Sequence, residues 1–236
     1  MVSLFPNSSL KRKFSFFKQP NFDEKEIYRK NIIKHVRNYI TKFHNPKVHL
    51  NNIPVSGKII DAEEISNLLE ASLDLRFTSG RFTKDFEKKI SKIIGVKYLL
   101  TCNSGSSANL LAVSSLCSVT LGKNALKKGD EVITCSTGFP TTVNPIIINN
   151  LVPVFVDASL PTYNIDVNLI ERAISEKTKA IAIAHTLGNP FDLEKVKNIC
   201  DKYNLYLIED CCDALGSKYK NKHVGTFGDI GTLSFY

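Results

Sequence analysis

The sequence predicts an α/β protein with a mostly parallel β-sheet that is covered by helices on both faces. From residue 96 onward, short apolar segments of strand length alternate with longer amphipathic segments, which is the pattern of parallel strands joined by crossover helices. The longest apolar runs, at 151–156 and 180–184, have the length of strands and fall far short of the roughly 18 residues that a membrane span needs. With 236 residues, of which 43% are hydrophobic, the chain can bury a core without disulfides or a structural metal.

The first 55 residues are predicted to form a basic N-terminal arm and one helix. Residues 1–22 are polar and have no periodic pattern, whereas apolar residues recur at three- and four-residue steps over 23–43, which is typical of an amphipathic helix. A break at Pro54 follows this segment. We therefore divide the chain into a basic arm with its helix, residues 1–55, and a second region, residues 56–236.

Two more helices are predicted before the alternating region begins. Asp61 is suited to an N-cap, and Glu64 stands three residues later, so the two form the signature of a capping box. The apolar periodicity that follows extends to Leu73. The next helix is predicted to begin near Thr83 and to end at Gly95.

Six strands and four helices are predicted in the alternating region. The strands are 96–102, 130–135, 152–157, 179–185, 205–210 and 232–236. The helices between them are 107–116, 142–150, 166–174 and 192–204. In such a sheet, ligands bind outside the carboxyl ends of the strands. Neither a helix nor a polar tail follows the last strand, so we expect the chain to be a fragment of a longer protein.

The positive charge of the chain is concentrated at its N-terminus. The formal net charge is +8, and residues 1–50 hold 11 Lys and Arg against 3 Asp and Glu, whereas residues 51–236 hold 20 of each. A basic run of this kind is usually a solvated arm or helix face; the alternatives are binding of a polyanion or an acidic partner and, for residues 1–20, an organelle transit peptide. We predict no nucleic-acid partner and no membrane partner.

The six cysteines predict a reducing environment rather than a disulfide framework or a metal site. They are Cys102, Cys117, Cys135, Cys200, Cys211 and Cys212. They form no C-x-x-C pair and have no metal-ligand spacing, and the N-terminus lacks the apolar core of a secretory signal. We therefore expect buried, reduced thiols, no metal ligands and a cytoplasmic location.

Three strand ends carry residues that together match the needs of one cofactor. The Ser- and Gly-rich run 101–109 precedes a helix, where backbone N–H groups suit a phosphate, although a simple helix cap is the alternative. Asp210 closes a strand and either pairs with a cationic ring nitrogen or caps a loop. Phe139 either stacks on a planar ligand or lies in the core, and His185 is either a hydrogen-bonded core histidine or a general base. A phosphate site, an aromatic platform and a ring-nitrogen carboxylate are what pyridoxal phosphate requires.

Five segments resemble the sugar-nucleotide aminotransferase and dehydrase family of fold-type I pyridoxal-phosphate proteins. They are NSGSSANLLA (103–112), GDEVITCSTGFPTTVNPII (129–147), AHTLGNPFD (184–192), EDCCDALGS (209–217) and GTFGDIGTLSFY (225–236). The similarity covers about residues 25–236 in order. It implies that residues 56–236 are a truncated large domain of the aspartate-aminotransferase type, whose mostly parallel sheet is incomplete, with the helical arm before it.

The resemblance also implies a set of cofactor-binding residues. They are Gly105, Ser106, Ser107 and Ser234 for the phosphate, Phe139 for the face of the ring, Asp210 for the protonated ring nitrogen, and Asp213 near the phenolic oxygen. Many aminotransferases of the family carry His or Gln at the position of Asp213, whereas its 3-dehydrases share the aspartate. This departure favours a dehydrase.

Within the family, the chain is most similar to the CDP-4-dehydro-6-deoxyglucose 3-dehydrases. That similarity implies an enzyme that uses pyridoxamine 5'-phosphate or pyridoxal 5'-phosphate to remove the C3 hydroxyl of a CDP-linked 4-keto-6-deoxyhexose, in deoxysugar biosynthesis for lipopolysaccharide. It further implies a homodimer, an iron–sulfur flavoprotein reductase as electron donor, and a [2Fe-2S] cluster whose ligands lie outside this chain.

The residue that separates dehydrases from aminotransferases lies beyond the sequence. By the resemblance it stands five positions after Ser234, and the chain ends at Tyr236. Lysine there would indicate a pyridoxal-phosphate-dependent sugar-nucleotide aminotransferase, and histidine would indicate a 3-dehydrase. A non-catalytic binding module is the third alternative. We expect the chain alone to be inactive.

Overall fold

The computed structural model describes residues 22–44 and 59–235, which form two compact units. One unit ends at Phe82 and the other begins at Thr83. Most of the predicted basic arm and the predicted division between residues 55 and 56 lie outside the described residues. Within them, no helix combines the length and the apolar character needed to cross a membrane.

The described residues of the first unit contain two complete helices, both of which the sequence predicted. They are α1 (Phe22–Phe43) and α2 (Ala62–Leu73). The predicted capping box is present at the start of α2, where the Asp61 side chain accepts from the backbone and Glu64 accepts from the N–H of Asp61. The two helices are joined by Arg29, which donates to the carbonyl of Glu70 at 2.6 Å and to the carboxylate of Asp74 at 2.7 Å.

The second unit is built on a sheet of five parallel strands in the order β2-β1-β3-β4-β7. The strands are β1 (Glu131–Cys135), β2 (Val152–Val156), β3 (Thr178–Ala184), β4 (Tyr206–Cys211) and β7 (Ile230–Leu233). The helices that follow α2 along the chain are α3 (Arg81–Ile94), α4 (Gly105–Leu116), α5 (Pro140–Ile148), α6 (Val167–Ile170) and α7 (Leu193–Tyr203). The predicted mostly parallel sheet is therefore confirmed, and its strands all end at one edge.

Alternate residues of the strands pack on opposite faces of the sheet. On one face, Ile181 and Leu207 lie in a cluster with the buried side of α7. On the other face, Ala182 and Ile208 lie in a cluster with Val113 of α4 and with the buried side of α5. Because both faces are apolar and covered, the strands read as nearly continuous hydrophobic runs in the sequence.

The prediction of a strand over 96–102 is wrong. This segment pairs with no other strand among residues 22–44 and 59–235, and Tyr98 and Leu100 are 78% and 89% exposed. A strand needs a hydrogen-bonded neighbour as well as an apolar pattern. The segment is instead tied to α3, since the carboxylate of Glu87 accepts from the backbone N–H of Thr101 at 2.9 Å and from its hydroxyl at 2.8 Å.

Two smaller differences concern one predicted helix and one hairpin within the second unit. The helix predicted over 166–174 is only the single turn α6 followed by a 3-10 turn at Glu171–Ala173, and that one turn already buries Ile170 completely. The sequence also missed a short antiparallel hairpin, β5 (Lys218–Tyr219) and β6 (Lys222–His223). Both residues of its turn have positive φ, as tight two-residue hairpin turns require.

Candidate cofactor site

The carboxyl edge of the sheet carries four of the residue positions that the sequence singled out. Asp210 is the penultimate residue of β4 and Asp213 lies in the turn after that strand. Ser234 directly follows β7, and Phe139 is the N-cap residue of α5, which follows β1. Parallel pairing of these strands therefore gathers the four positions along one edge of the sheet.

Asp210 is a buried carboxylate that accepts three hydrogen bonds from the protein. Its side chain is part of a residue that is only 5% exposed. Oδ2 accepts from Nδ2 of Asn109 at 2.8 Å and from Oγ1 of Thr142 at 2.7 Å, and Oδ1 accepts from the backbone N–H of Cys212 at 3.1 Å. Burying an anion is costly unless hydrogen bonds replace its water, so these donors allow a fixed negative charge at the end of β4.

The sequence reasoning missed three buried polar residues around Asp210. They are Asn109, Thr142 and Thr232, each less than a tenth exposed. Thr232 Oγ1 donates to Oδ1 of Asn109 at 2.6 Å, so a chain of hydrogen bonds runs from β7 through α4 to Asp210. One available signal was Asn109 itself, a polar side chain inside the apolar stretch SANLLAVSSL.

The start of α4 is a helix N-terminus capped by a serine. Ser104 is its N-cap residue, and the Ser104 hydroxyl accepts from the backbone N–H of Ser107 at 3.1 Å and lies 3.2 Å from the Ser107 hydroxyl. Ser106 is exposed in the same turn. The N–H groups of a first helical turn lack partners within the helix, and the helix dipole adds positive potential there. A phosphate group fits this combination.

Gly105 brings the start of α4 into direct contact with the ends of two strands. A Cβ atom at this position would lie 2.8 Å from Cβ of Ser234 and 2.9 Å from Sγ of Cys212. Only a residue without a side chain permits this approach. The structure therefore places Gly105 and Ser234, two of the predicted phosphate ligands, next to each other.

Replacing Gly105 by alanine is expected to lower the free energy of unfolding by about 1–3 kcal/mol, because the new methyl group overpacks a tight contact. Gly138→Ala is the matched control, since a Cβ at Gly138 would meet nothing within 4 Å. Denaturant unfolding of both variants measures the difference. Equal stability of the two variants would show that the contact at Gly105 is not tight.

Phe139 is not a core residue, because it is 70% exposed. It lies at the carboxyl edge at the start of α5, where its ring is available to a planar ligand. Asp213 is also exposed. The carbonyl of Asp213 lies close to Gly188, where an added Cβ would approach it to 2.9 Å, so the turn after β4 packs against the loop after β3.

His185 is a core residue and not an exposed base. Its side chain is fully buried, its ring stacks on Phe191 with centroids 4.2 Å apart, and Nε2 lies 3.1 Å from Oε2 of Glu209. Glu209 is the residue before Asp210 and points to the opposite face of β4. His185 therefore supports the strand rather than the open edge.

Glu209 is ionised and held by backbone donors. Its oxygens accept from the N–H groups of Gly225 at 2.8 Å, Phe227 at 2.7 Å and Gly228 at 2.7 Å. Burial alone would raise the pKa of Glu209, but the hydrogen bonds from His185 and from the Gly228 and Gly225 backbone outweigh it and hold the pKa below its ordinary value. Glu209 thus fixes the loop that leads into β7 and Ser234.

The cysteines behave as free thiols, but they are not all buried as predicted. Cys200 and Cys211 are buried, whereas Cys102 is exposed and the other three are half-buried. Burial, followed by the neighbouring charge of Asp210, raises the pKa of Cys212 to about 12. Cys212 is therefore a neutral thiol beside the carboxylate at neutral pH.

The groups at this edge fit a phosphorylated pyridine cofactor. The start of α4 offers donors to a phosphate, the buried Asp210 offers a carboxylate to a protonated ring nitrogen, and Phe139 offers an exposed aromatic face. The absence of a side chain at Gly105 lets the first turn of α4 lie directly against Ser234 and Cys212 at the ends of two strands. Each of the three groups comes from a different segment of the chain at the same edge.

Two known proteins are similar to this chain in sequence over most of its length. The lipopolysaccharide biosynthesis protein RfbH of Salmonella typhimurium is 64% identical over 184 residues, which are 78% of this chain and 42% of that protein. The dTDP-4-dehydro-2,6-dideoxy-D-glucose 3-dehydratase of Saccharopolyspora spinosa is 46% identical over 207 residues, 87% of this chain and 45% of that protein.

The fold is shared with a solved structure of the same kind. The E. coli GDP-4-keto-6-deoxy-D-mannose-3-dehydratase with bound hydrated PLP superposes with a TM-score of 0.74 at 34% identity, over 78% of this chain and 47% of that one. The predicted fold-type I class is thereby confirmed. The chain spans less than half the length of each of these three relatives.

The family itself is established by a match over most of the chain. Residues 58–236 match the model of the DegT/DnrJ/EryC1/StrS aminotransferase family, and the resemblance found in the sequence segments is confirmed by the relatives above. The carboxyl-edge geometry, the fold and the sequence agree. The chain therefore belongs to the DegT/DnrJ/EryC1/StrS aminotransferase family of pyridoxal-phosphate-dependent proteins.

Proposed function

We propose that this chain is part of a pyridoxamine-phosphate-dependent 3-dehydrase that removes the C3 hydroxyl of a CDP-linked 4-keto-6-deoxyhexose in lipopolysaccharide deoxysugar biosynthesis. The observation that carries the proposal is the buried Asp210, held by three donors at the same edge as the start of α4. The names of the relatives support a dehydrase, since two of the three are called 3-dehydratases and the third is a lipopolysaccharide biosynthesis protein.

The roles of the site residues follow from their chemistry. The phosphate is held by Gly105, Ser106, Ser107 and Ser234. Phe139 covers one face of the ring, and Asp210 stabilises the proton on the ring nitrogen, since a nearby anion favours the protonated form. When bound, the cofactor supplies a pyridinium that withdraws electrons from the carbon attached to its amine nitrogen. Asp210 keeps that withdrawal strong throughout the reaction.

Asp213 favours the dehydrase over the aminotransferase. It stands where many aminotransferases carry His or Gln, and it lies in the exposed turn directly after β4. We place it near the phenolic oxygen of the cofactor. The remaining partners belong to the whole protein: a second copy in a homodimer, an iron–sulfur flavoprotein reductase, and a [2Fe-2S] cluster with ligands outside this chain.

The domain organisation and location are part of the same proposal. Residues 56–236 form the first portion of the cofactor-binding large domain, and residues 1–55 form a basic arm with α1. The enzyme acts in the cytoplasm, where its thiols stay reduced.

The test is incubation of the whole protein with CDP-4-keto-6-deoxyglucose, pyridoxamine phosphate and a reductase, followed by mass spectrometry of the sugar. Loss of the C3 oxygen without gain of nitrogen is the expected result. Transfer of the amine to the sugar with retention of the C3 hydroxyl would contradict a dehydrase. Failure to bind the cofactor would instead indicate a non-catalytic module.

An aminotransferase is the second candidate, favoured by the description of the family. It requires a lysine at the fifth position after Ser234, where the dehydrase has histidine. Borohydride treatment of the cofactor-loaded protein, followed by peptide mass spectrometry, distinguishes the two. Cofactor fixed covalently to a lysine at that position would establish the aminotransferase.

A further inference from the structure

The donors and acceptors around Asp210 can be assigned, and each oxygen of its carboxylate can accept only a limited number of hydrogen bonds. We propose that Asn109 and Thr142 are positioning residues, which saturate Oδ2 of Asp210 and leave its accepting capacity on Oδ1 for the ring nitrogen of the cofactor. The inference rests on the proposed function, because it assumes that a pyridine ring binds at this edge.

The direction follows from the amide of Asn109. Thr232 Oγ1 donates to Oδ1 of Asn109 at 2.6 Å, and Nδ2 of Asn109 donates to Oδ2 of Asp210 at 2.8 Å. An amide has one accepting end and one donating end. Because an ionised carboxylate only accepts, the amide nitrogen must face Asp210 and the amide oxygen must face Thr232.

The capacity follows from counting lone pairs. Each carboxylate oxygen can accept about two hydrogen bonds. Oδ2 of Asp210 already accepts from Asn109 and Thr142, whereas Oδ1 accepts from the backbone N–H of Cys212. The Cys212 thiol also forms a hydrogen bond with the Asp210 carboxylate. A thiol is only a weak donor, so a cationic ring N–H outcompetes it for the remaining position on Oδ1.

The three side-chain donors come from three different elements of the second unit. Asn109 lies on α4, Thr142 on α5 and Thr232 on β7, and all are buried. The same helix α4 begins at the phosphate-binding turn. A shift of α4 would therefore move the phosphate donors and break the hydrogen bond from Asn109 to Asp210 at the same time. The network thus fixes the distance between the first turn of α4 and the Asp210 carboxylate.

A purely structural role is the alternative, in which the network only compensates a buried charge. The two roles differ in what they do to ligands that lack the ring nitrogen. A structural defect weakens every ligand equally, whereas a misplaced carboxylate weakens only ligands that carry the ring N–H. The ratio of two affinities therefore separates the roles.

The experiment compares pyridoxal phosphate with its 1-deaza analogue, in which a C–H group replaces the ring nitrogen. Dissociation constants for the whole protein and for the variants Thr142→Val and Asn109→Leu are measured by absorbance titration. The unmodified protein is expected to prefer pyridoxal phosphate, and each variant to lose about tenfold of that preference, the size expected for one hydrogen bond to a charged group. If Thr142→Val still binds pyridoxal phosphate and the ratio of the two dissociation constants is unchanged, this inference is wrong while the proposed function stands.

Two controls make the outcome specific. Thr178→Val removes a buried hydroxyl at the opposite end of the sheet, where Oγ1 of Thr178 donates to Glu131 at 3.2 Å, and it should leave the ratio unchanged. Thr142→Ser keeps the hydroxyl and should restore the preference. If the unmodified protein binds neither ligand, the proposed function is wrong as well. If it binds both ligands with equal affinity, Asp210 is not the partner of the ring nitrogen.

Discussion

Replacing Asp210 by asparagine is expected to lower turnover of the whole protein by roughly 10²–10³-fold, the range seen when one fixed electrostatic partner is lost. Asparagine removes the anion that favours the pyridinium. It also has only one accepting oxygen, so its amide nitrogen meets a donor, either the Cys212 N–H or the pair formed by Asn109 and Thr142. Single-turnover kinetics with the keto-sugar and a pH titration of the bound cofactor's absorbance measure both effects.

Asp157→Asn is the matched control for this substitution. Asp157 directly follows β2 at the same edge of the sheet, but it is exposed and accepts from Ser136 at 3.3 Å and from its neighbour Ala158 at 2.8 Å. It should leave the cofactor's absorbance unchanged. If Asp210→Asn were as active as Asp157→Asn, the assignment of the ring-nitrogen partner would be wrong.

Replacing Glu209 by glutamine is expected to cause the largest loss of stability, about 2–4 kcal/mol. The glutamine oxygen can still accept two backbone N–H groups, but its amide nitrogen cannot accept from Gly225 or His185. A buried donor left without an acceptor costs about 1–3 kcal/mol. Urea unfolding measures the change, with Glu194→Gln as control because that carboxylate is exposed and its ion pair with Lys220 contributes little.

Glu209 also makes the stability of the folded protein depend on pH in a defined direction. The pKa of Glu209 in the folded protein lies below the ordinary value of 4.5, so the folded state binds its proton less readily than the unfolded state does. The stabilisation is therefore complete above pH 4.5 and is lost as the pH falls through the folded pKa. The stability gap between the unmodified protein and Glu209→Gln should be constant at neutral pH and should narrow in acid. A gap that widens in acid would contradict this assignment.

The fold was predictable where the signal is local or repeats along the chain. The apolar runs of β1 to β4 and the capping box of α2 were found because each depends on neighbouring residues. The segment 96–102 has the same apolar pattern, but no strand pairs with it in the part of the chain that the structure describes. Pairing is a long-range property that periodicity does not contain.

The site was predictable only in part, for the same reason. Asp210 is marked by its position at the end of an apolar strand, and the start of α4 is marked by a Ser- and Gly-rich run before a helix. Asn109 contacts Asp210 across 101 residues and Thr232 across 123 residues, and no local pattern marks such pairs. Glu209 was passed over because the sequence does not show that three backbone N–H groups converge on it.

A crystal structure of the whole protein with pyridoxamine phosphate tests the account most directly. The distance from the ring nitrogen to Oδ1 of Asp210 should be about 2.7–2.9 Å, as for a charge-assisted hydrogen bond, with the phosphate at the first turn of α4. A ligand whose phosphate lies away from Gly105, or whose ring nitrogen faces solvent instead of Asp210, would contradict the account.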